Sequence, residues 1–193
     1  MKKLLLAVLS FATISAKAQT ADDVISKIAA NMGGLEVFNK ITSAKMTGTY
    51  STQGNDIALT TQIINGKGMR TDLELMGQAV TNCYFNGKGW KINPFAGATT
   101  PTEVTGTELN DFKTQSNLAN QLMDYKARGH QVELLGEDAV EGVKTYKIKL
   151  TNKDDSKVTT YFISTADYTL IKSVTMRQFQ GQDIEVESFY SDL

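Results

Sequence analysis

The chain has 193 residues, of which 41% are hydrophobic, and its 20 basic and 21 acidic side chains give a net charge of −1 at pH 7. This near-equal number of acidic and basic side chains argues against nucleic acid as a partner, because phosphate binding requires a concentrated basic surface. Cys83 is the only cysteine, which excludes an internal disulfide, so a hydrophobic core must hold the fold. The length suits a single domain with such a core.

The N-terminal segment has the layout of a secretory signal peptide. Two lysines precede an apolar run over residues 4–14, and Ala16 and Ala18 occupy the positions of a small-residue cleavage site. The run is shorter than the ~20 apolar residues that span a bilayer. We expect cleavage after Ala18 and export to the periplasm, with residues 19–193 as one domain carrying a net charge of about −4. An N-terminal membrane anchor is the alternative.

Two helices are predicted to open the mature chain. Thr20 is a good N-cap, and apolar residues follow at helical spacing until Gly33 and Gly34 end the helix. A short second helix, which contains Leu35 and Phe38, runs to about Lys40.

After Ile41 the apolar residues recur at every second position, which is typical of β-strands. This alternation continues to Ile92 through short turns, and Asn86-Gly87 is a strong hairpin signal. The pattern predicts about five antiparallel strands, since turns this short allow no other pairing.

The middle of the chain breaks the alternation. Residues 93–106 contain both prolines and are predicted to form a loop over the sheet. A helix is predicted from about Thr107 to Gly129, with Leu109, Phe112, Ala119, Leu122 and Met123 near one face. Five more strands are predicted at residues 131–137, 143–150, 158–163, 170–179 and 184–190.

These elements predict a mainly β protein with α-helices. Its curved antiparallel sheet of about ten strands forms an incomplete β-barrel covered by helices on one side, since so large a twisted sheet tends to curl. An apolar inner face then encloses a cavity unless side chains fill it. The residues expected to bind a ligand on the concave face and the lid are Met46, Tyr50, Leu59, Ile63, Leu73, Leu75, Phe85, Trp90, Phe112 and Leu122.

The sequence shows no catalytic constellation. His130 is the only histidine, whereas a zinc site needs several His or Cys ligands and a classical triad needs a histidine with a placed nucleophile. The repeated Asn-Gly-Lys-Gly segments at residues 65–68 and 86–89 lie between strands and are interpreted as turns. Cys83 is interpreted as a small buried hydrophobe. We therefore expect a binding protein, without catalytic residues, metal or cofactor.

Several short motifs carry a resemblance to a known family. They are turn and core residues at Gly33-Gly34, Ile41-Thr42-Ser43, Asn86-Gly87, Gly89-Trp90, Asp124-Tyr125-Lys126, Gly129, Val132–Glu137, Gly142, Tyr146–Leu150 and Tyr161–Ile163. Over most of residues 20–190 the chain resembles the LolA/LolB-like periplasmic lipoprotein-carrier superfamily, in particular the Bacteroidetes-type outer membrane lipoprotein-sorting proteins.

The resemblance implies a carrier that shields the acyl chains of a lipid or lipoprotein in an apolar cavity, between membrane-associated donor and acceptor proteins. It places Arg70 in a region comparable to that of an arginine that controls the lid in better-known carriers. Similar proteins continue into a further strand where this chain stops at Leu193, which leaves a short protein or a truncated sequence as alternatives.

Two other functions stay open from the sequence. One is a structural or adaptor protein that binds a peptide or a protein partner on its concave face. The other is a hydrolase that uses paired carboxylates, since two such groups are enough for glycoside hydrolysis.

Overall fold

A computed structural model describes residues 19–52, 55–179 and 182–191. The signal peptide predicted over residues 1–18 and the end of the chain at Leu193 lie outside the described residues. The described helices are α1 (Ala21–Asn31), α2 (Leu35–Lys40), α3 (Gly106–Gln115), α4 (Tyr125–Arg128) and a 3-10 helix at Pro94–Ala96.

Eleven strands occur in this described part of the chain. They are β1 (Ser43–Thr52), β2 (Asn55–Ile64), β3 (Gly68–Leu75), β4 (Gln78–Phe85), β5 (Lys88–Asn93), β6 (Ala98–Val104), β7 (Gln131–Val140), β8 (Val143–Thr151), β9 (Val158–Ser164), β10 (Leu170–Phe179) and β11 (Gln182–Phe189). They confirm a mainly β protein with α-helices.

The N-terminus of α1 follows the capping prediction. The Thr20 hydroxyl accepts a hydrogen bond from the Asp23 amide at 3.2 Å, and the Asp23 carboxylate accepts one from the Thr20 amide at 3.0 Å. This reciprocal pair satisfies two amides that a helix start leaves unpaired. The buried side of α1 carries Val24, Ile25 and Ile28.

The strands form two antiparallel sheets that do not close into a barrel. The first runs in the order β1-β2-β3-β4-β5-β6, and the second in the order β11-β10-β9-β8-β7. The sequence predicted one continuous sheet of about ten strands, whereas the strands are divided between two sheets. The reason lies between β6 and β7, where the chain leaves the first sheet and passes through α3 and α4 before the second begins.

The loop predicted over residues 93–106 contains a strand. Within it, β6 pairs with β5, with Gly89 opposite Val104 and Trp90 opposite Glu103. Pro101 does not break this strand because β6 is an edge of the first sheet, where a residue that lacks an N–H need not cost a ladder hydrogen bond.

The long helix predicted from Thr107 to Gly129 is also corrected. It divides into α3 and α4, separated by residues 116–124. The Ser116 hydroxyl and the Asn117 amide both donate to the carbonyl of Lys113, at 2.7 and 3.0 Å. Such side-chain bonds compete with helical ones, so they end α3 where apolar periodicity alone would extend it.

Each sheet has its own core. On the first sheet, Ile63, Met69, Tyr84 and Val104 pack with Phe112 of α3. The second core is larger and places α1 and Leu122 against β8 and β9. Its buried members are Val24, Ile25, Ile28, Leu122, Ile148, Leu150, Tyr161 and Ile163. In the described part of the chain, no helix is both long and apolar enough to cross a membrane.

Candidate ligand-binding cavity

Strand register places half of the predicted ligand residues on one face of the first sheet. Met46 lies opposite Thr61 and Leu59 opposite Leu73, and alternate positions along a strand point to the same side. This face also carries Ile63, which packs with Phe112, so it is the side that α3 covers. The predicted residues that share it are Met46, Leu59, Ile63, Leu73 and Leu75. The side chain of Tyr50 lies outside the described residues.

The face toward α3, which we call the inner face, is filled at one end and open at the other. Leu109 and Phe112 of α3 cover the end of this face at which Met69 and Tyr84 lie. Away from α3, the side chain of Met46 is 48% exposed, and Leu59 and Leu73 are half-buried. The open half is therefore an apolar surface in contact with solvent.

Phe85, Trp90 and Arg70 lie on the opposite, outer face. In the strand register, Arg70 lies opposite Cys83 and Cys83 lies opposite Trp90. Phe85 follows Cys83 by two positions, so it points to the same side. These residues line two shallow grooves of about 490 and 440 Å³ that share Arg70 and Cys83. The structure thus separates them from Leu59 and Leu73 by the thickness of the sheet.

Arg70 is held by a carboxylate on its own strand. Its Nε and a terminal nitrogen donate to the two oxygens of Asp72 at 2.8 and 2.9 Å. The Thr81 hydroxyl donates to the same carboxylate at 2.7 Å. The bonds from Arg70 and then from Thr81 lower the pKa of Asp72, so this pair stays ionised at neutral pH. The predicted contact of Arg70 with the lid stays a prediction.

A largely apolar cavity lies beside the second sheet. Its volume is about 420 Å³, within the range of small-molecule sites. It is lined by the end of α1, the segment between α3 and α4, the turn between β9 and β10, and Tyr190. The lining residues are Ile28, Asn31, Met32, Asn120, Leu122, Met123, Tyr168, Thr169, Leu170 and Tyr190. Only Leu122 among them was predicted from the sequence as a ligand residue.

Several polar groups in the cavity wall already have partners. The Asn120 side-chain oxygen accepts from the Leu122 amide at 2.8 Å, and the Thr169 hydroxyl donates to Asp167 at 2.8 Å. The Asn31 amide donates to the Asp167 carbonyl, and the Tyr190 hydroxyl lies 3.0 Å from that of Ser173. The wall therefore offers a ligand mainly methyl, methylene and aromatic surface, and none of the residues that line it is charged.

Tyr168 connects this cavity to the protein surface. Its backbone has a positive φ of 60°, a conformation that few residues other than glycine adopt. Its ring lines the cavity and stacks on Tyr146 at a centroid distance of 6.0 Å. Its hydroxyl accepts a hydrogen bond from Nζ of Lys27 at 2.7 Å, and this bond lowers the pKa of Tyr168.

The described residues contain no group of three or more His, Cys, Asp or Glu side chains that could hold a metal ion. His130 is half-buried, and its Nδ1 accepts from the Lys153 amide at 3.2 Å. Burial and then the nearby Arg128 charge lower the pKa of His130 and favour the neutral imidazole. This arrangement gives His130 a structural contact at the start of β7.

Neither a family model nor a curated protein matches the sequence. Among solved structures, a LolA superfamily protein from Nitrosomonas europaea is 13% identical with a TM-score of 0.52, and the match covers 91% of this chain and 79% of that one. The chain has a LolA-like fold. This result confirms the fold that the resemblance implied. At so low an identity the LolA-like fold alone is established, and function must be argued from the site.

Two further structures are similar at TM-scores too low to add to the LolA-like assignment. A putative outer membrane lipoprotein-sorting protein domain from Vibrio parahaemolyticus is 12% identical, with 83% of this chain and 80% of that chain covered and a TM-score of 0.41. The lipoprotein LppX from Mycobacterium tuberculosis is 14% identical, with 77% and 86% covered and a TM-score of 0.30.

Proposed function

We propose that this chain is an exported, single-domain carrier that shelters acyl chains of a lipid or lipoprotein, and not an enzyme. The observation that carries the proposal is the cavity of about 420 Å³ whose wall is mostly apolar and carries no charged side chain. Export rests on the predicted signal peptide. Membrane-associated donor and acceptor proteins are part of the same proposal.

The free energy of burying an acyl chain suits a carrier. About 14 methylenes at about 0.8 kcal/mol each give roughly 11 kcal/mol of gross stabilisation. The loss of translational freedom and the ordering of the chain cost several kcal/mol of this. The remainder allows binding in transit together with release at an acceptor.

The proposal is tested by filling the cavity. Met123 is buried in its wall, so Met123→Trp should place an indole in the space and weaken binding of a fluorescent fatty acid at least about tenfold. Met76→Trp is the matched control because Met76 is 86% exposed in the turn between β3 and β4. Saturable binding should persist in that control.

Replacing Met46 with tryptophan tests where the acyl ligand binds. Met46→Trp alters the open half of the inner face of the first sheet and leaves the cavity unchanged, so binding should persist. Loss of binding in Met46→Trp but not in Met123→Trp would move the site to the inner face. If the unaltered protein binds no acyl ligand in a saturable way, the carrier proposal is wrong.

The open half of the inner face supports a second candidate function, an adaptor that binds a peptide or protein partner there. The exposed Met46 side chain favours it, because methionine adapts to varied apolar partners. A pull-down with the exported protein that yields a protein partner and no lipid, and that Met46→Trp abolishes, would select this function.

A further inference from the structure

The size of the cavity limits how many acyl chains it accepts. An apolar protein cavity of about 150 Å³ accepts one benzene molecule, which corresponds to roughly 25 Å³ for each carbon atom. On that scale, the cavity of about 420 Å³ has room for roughly 17 carbons. This is the length of one common acyl chain, and it leaves no space for a second.

The wall of the cavity has no place for a charged head group. The side chains of Asn31, Asn120 and Thr169 already bond to neighbouring groups of the chain. A carboxylate or phosphate placed among these residues would lose its hydration and meet no cation in the wall, which is costly. The head group of a bound amphiphile therefore has to stay at the mouth of the cavity.

Lys27 supplies a cation beside the cavity that could contact such a head group. Lys27 is an exposed residue of α1 adjacent to Ile28 of the cavity wall, and its Nζ reaches the hydroxyl of the wall residue Tyr168. Within the described chain, Lys27 forms no ion pair with a carboxylate. Asp23, whose charge acts on Lys27, is engaged in capping α1 at Thr20. The positive charge of Lys27 is thus available to an anionic ligand.

We propose that the cavity binds the single tail of a one-chain anionic amphiphile, a fatty acid in the simplest case, with its head group at Lys27. This inference rests on the proposed function and narrows it. One acyl chain enters between the end of α1, the segment at residues 120–123 and Tyr168. Ligands with two or three acyl chains exceed the available volume.

The test uses the mature protein with three probes, namely palmitate, methyl palmitate and dipalmitoylphosphatidylglycerol. Native mass spectrometry should show one palmitate per chain, and titration calorimetry should show weaker binding of the two-chain lipid. Lys27→Gln should weaken palmitate binding about two- to fivefold, as expected for an exposed ion pair. It should leave binding of uncharged methyl palmitate unchanged.

Lys40→Gln is the control, because Lys40 is an exposed lysine at the end of α2 and is not part of the cavity wall. Palmitate affinity should not change in it. Three results would each overturn this inference but not the carrier proposal. They are binding of two palmitates, binding of the two-chain lipid as tight as that of palmitate, and equal losses of affinity for palmitate and its methyl ester in Lys27→Gln. No binding of any of the three probes would overturn the carrier proposal as well.

Discussion

Gly89 shows how one residue sets the distance between a helix and a sheet. It lies in β5 under α3, where an added Cβ would stand 2.9 Å from a terminal methyl of Leu109, 3.3 Å from Cβ of Val104 and 3.4 Å from the ring of Phe112. Such distances are shorter than normal packing contacts. A glycine in a strand often marks this kind of close approach, and here it lets α3 seal one end of the inner face.

Replacing Gly89 with valine should therefore destabilise the protein. We expect Gly89→Val to lower the free energy of unfolding by about 1–3 kcal/mol, the usual effect of overpacking a core. Gly48→Val is the matched control, since an added Cβ at Gly48 in β1 meets no atom within 4 Å. Urea unfolding followed by circular dichroism measures both variants. Equal stabilities would show that α3 can shift away from β5 without cost.

At the scale of elements, α3 contacts both sheets, and a different side of the helix faces each of them. Its apolar side, with Leu109 and Phe112, packs on the first sheet. Its polar side reaches the turn between β8 and β9, where Lys157 pairs with Asp111 and Nζ of Lys113 lies 2.7 Å from Asp154. Because Lys157 is only 18% exposed, its ion pair is screened by water less than the pair at Lys113.

Removing that cation should loosen α3. In Lys157→Met, Asp111 loses its partner, and Asp155 loses a cation 3.7 Å away but keeps its bond from the backbone amide of residue 157. We expect a local loss of roughly 1 kcal/mol, which corresponds to about fivefold faster amide exchange within α3. Hydrogen–deuterium exchange read by mass spectrometry measures this rate.

Lys67→Met is the control, because Lys67 is an exposed residue in the turn between β2 and β3. Its exchange within α3 should match that of the unaltered protein. Unchanged exchange in Lys157→Met would mean that apolar packing alone holds α3 in place.

The strands could be predicted because their signal is local. In β2 to β4 each residue alternates sides, and the turns at Gly66, Gly77 and Gly87 adopt positive φ as their sequences indicate. The strand β6 was missed because Pro101 suggests a loop, whereas only its place at the sheet edge makes the proline acceptable. The division into two sheets depends on which strands pair across the helical segment between β6 and β7, which no local pattern encodes.

The cavity was largely missed for a related reason. Its wall combines a helix end, a non-repetitive segment and a turn, and none of these has the periodicity that identifies an apolar face. Asn65 illustrates the same limit, because its side chain bonds to the carbonyls of Phe38 and Ile41 and to the amide of Leu118. The sequence predicted only a turn there, and the three distant partners are visible only in the folded chain.

At the scale of the whole molecule, the two sheets carry two separate cores, and the cavity belongs to only one of them. Ile28 and Leu122 are members of the second core and of the cavity wall at once. In the first core, Phe112 and Tyr84 do not line the cavity. A ligand in the cavity should therefore act on one half of the molecule.

Amide exchange with bound palmitate tests this asymmetry. Ligand that binds the folded state stabilises it by about 2.7 kcal/mol at a hundredfold excess over Kd, and local openings that would release the ligand are suppressed first. We expect slower exchange in α1, in residues 117–124 and in the turn at residues 165–169, with β1 to β5 unchanged. Met123→Trp should abolish the protection, whereas Met76→Trp should retain it. Protection concentrated in β1 to β3 would instead place the ligand on the inner face, where alternation of apolar residues in the sequence first indicated it.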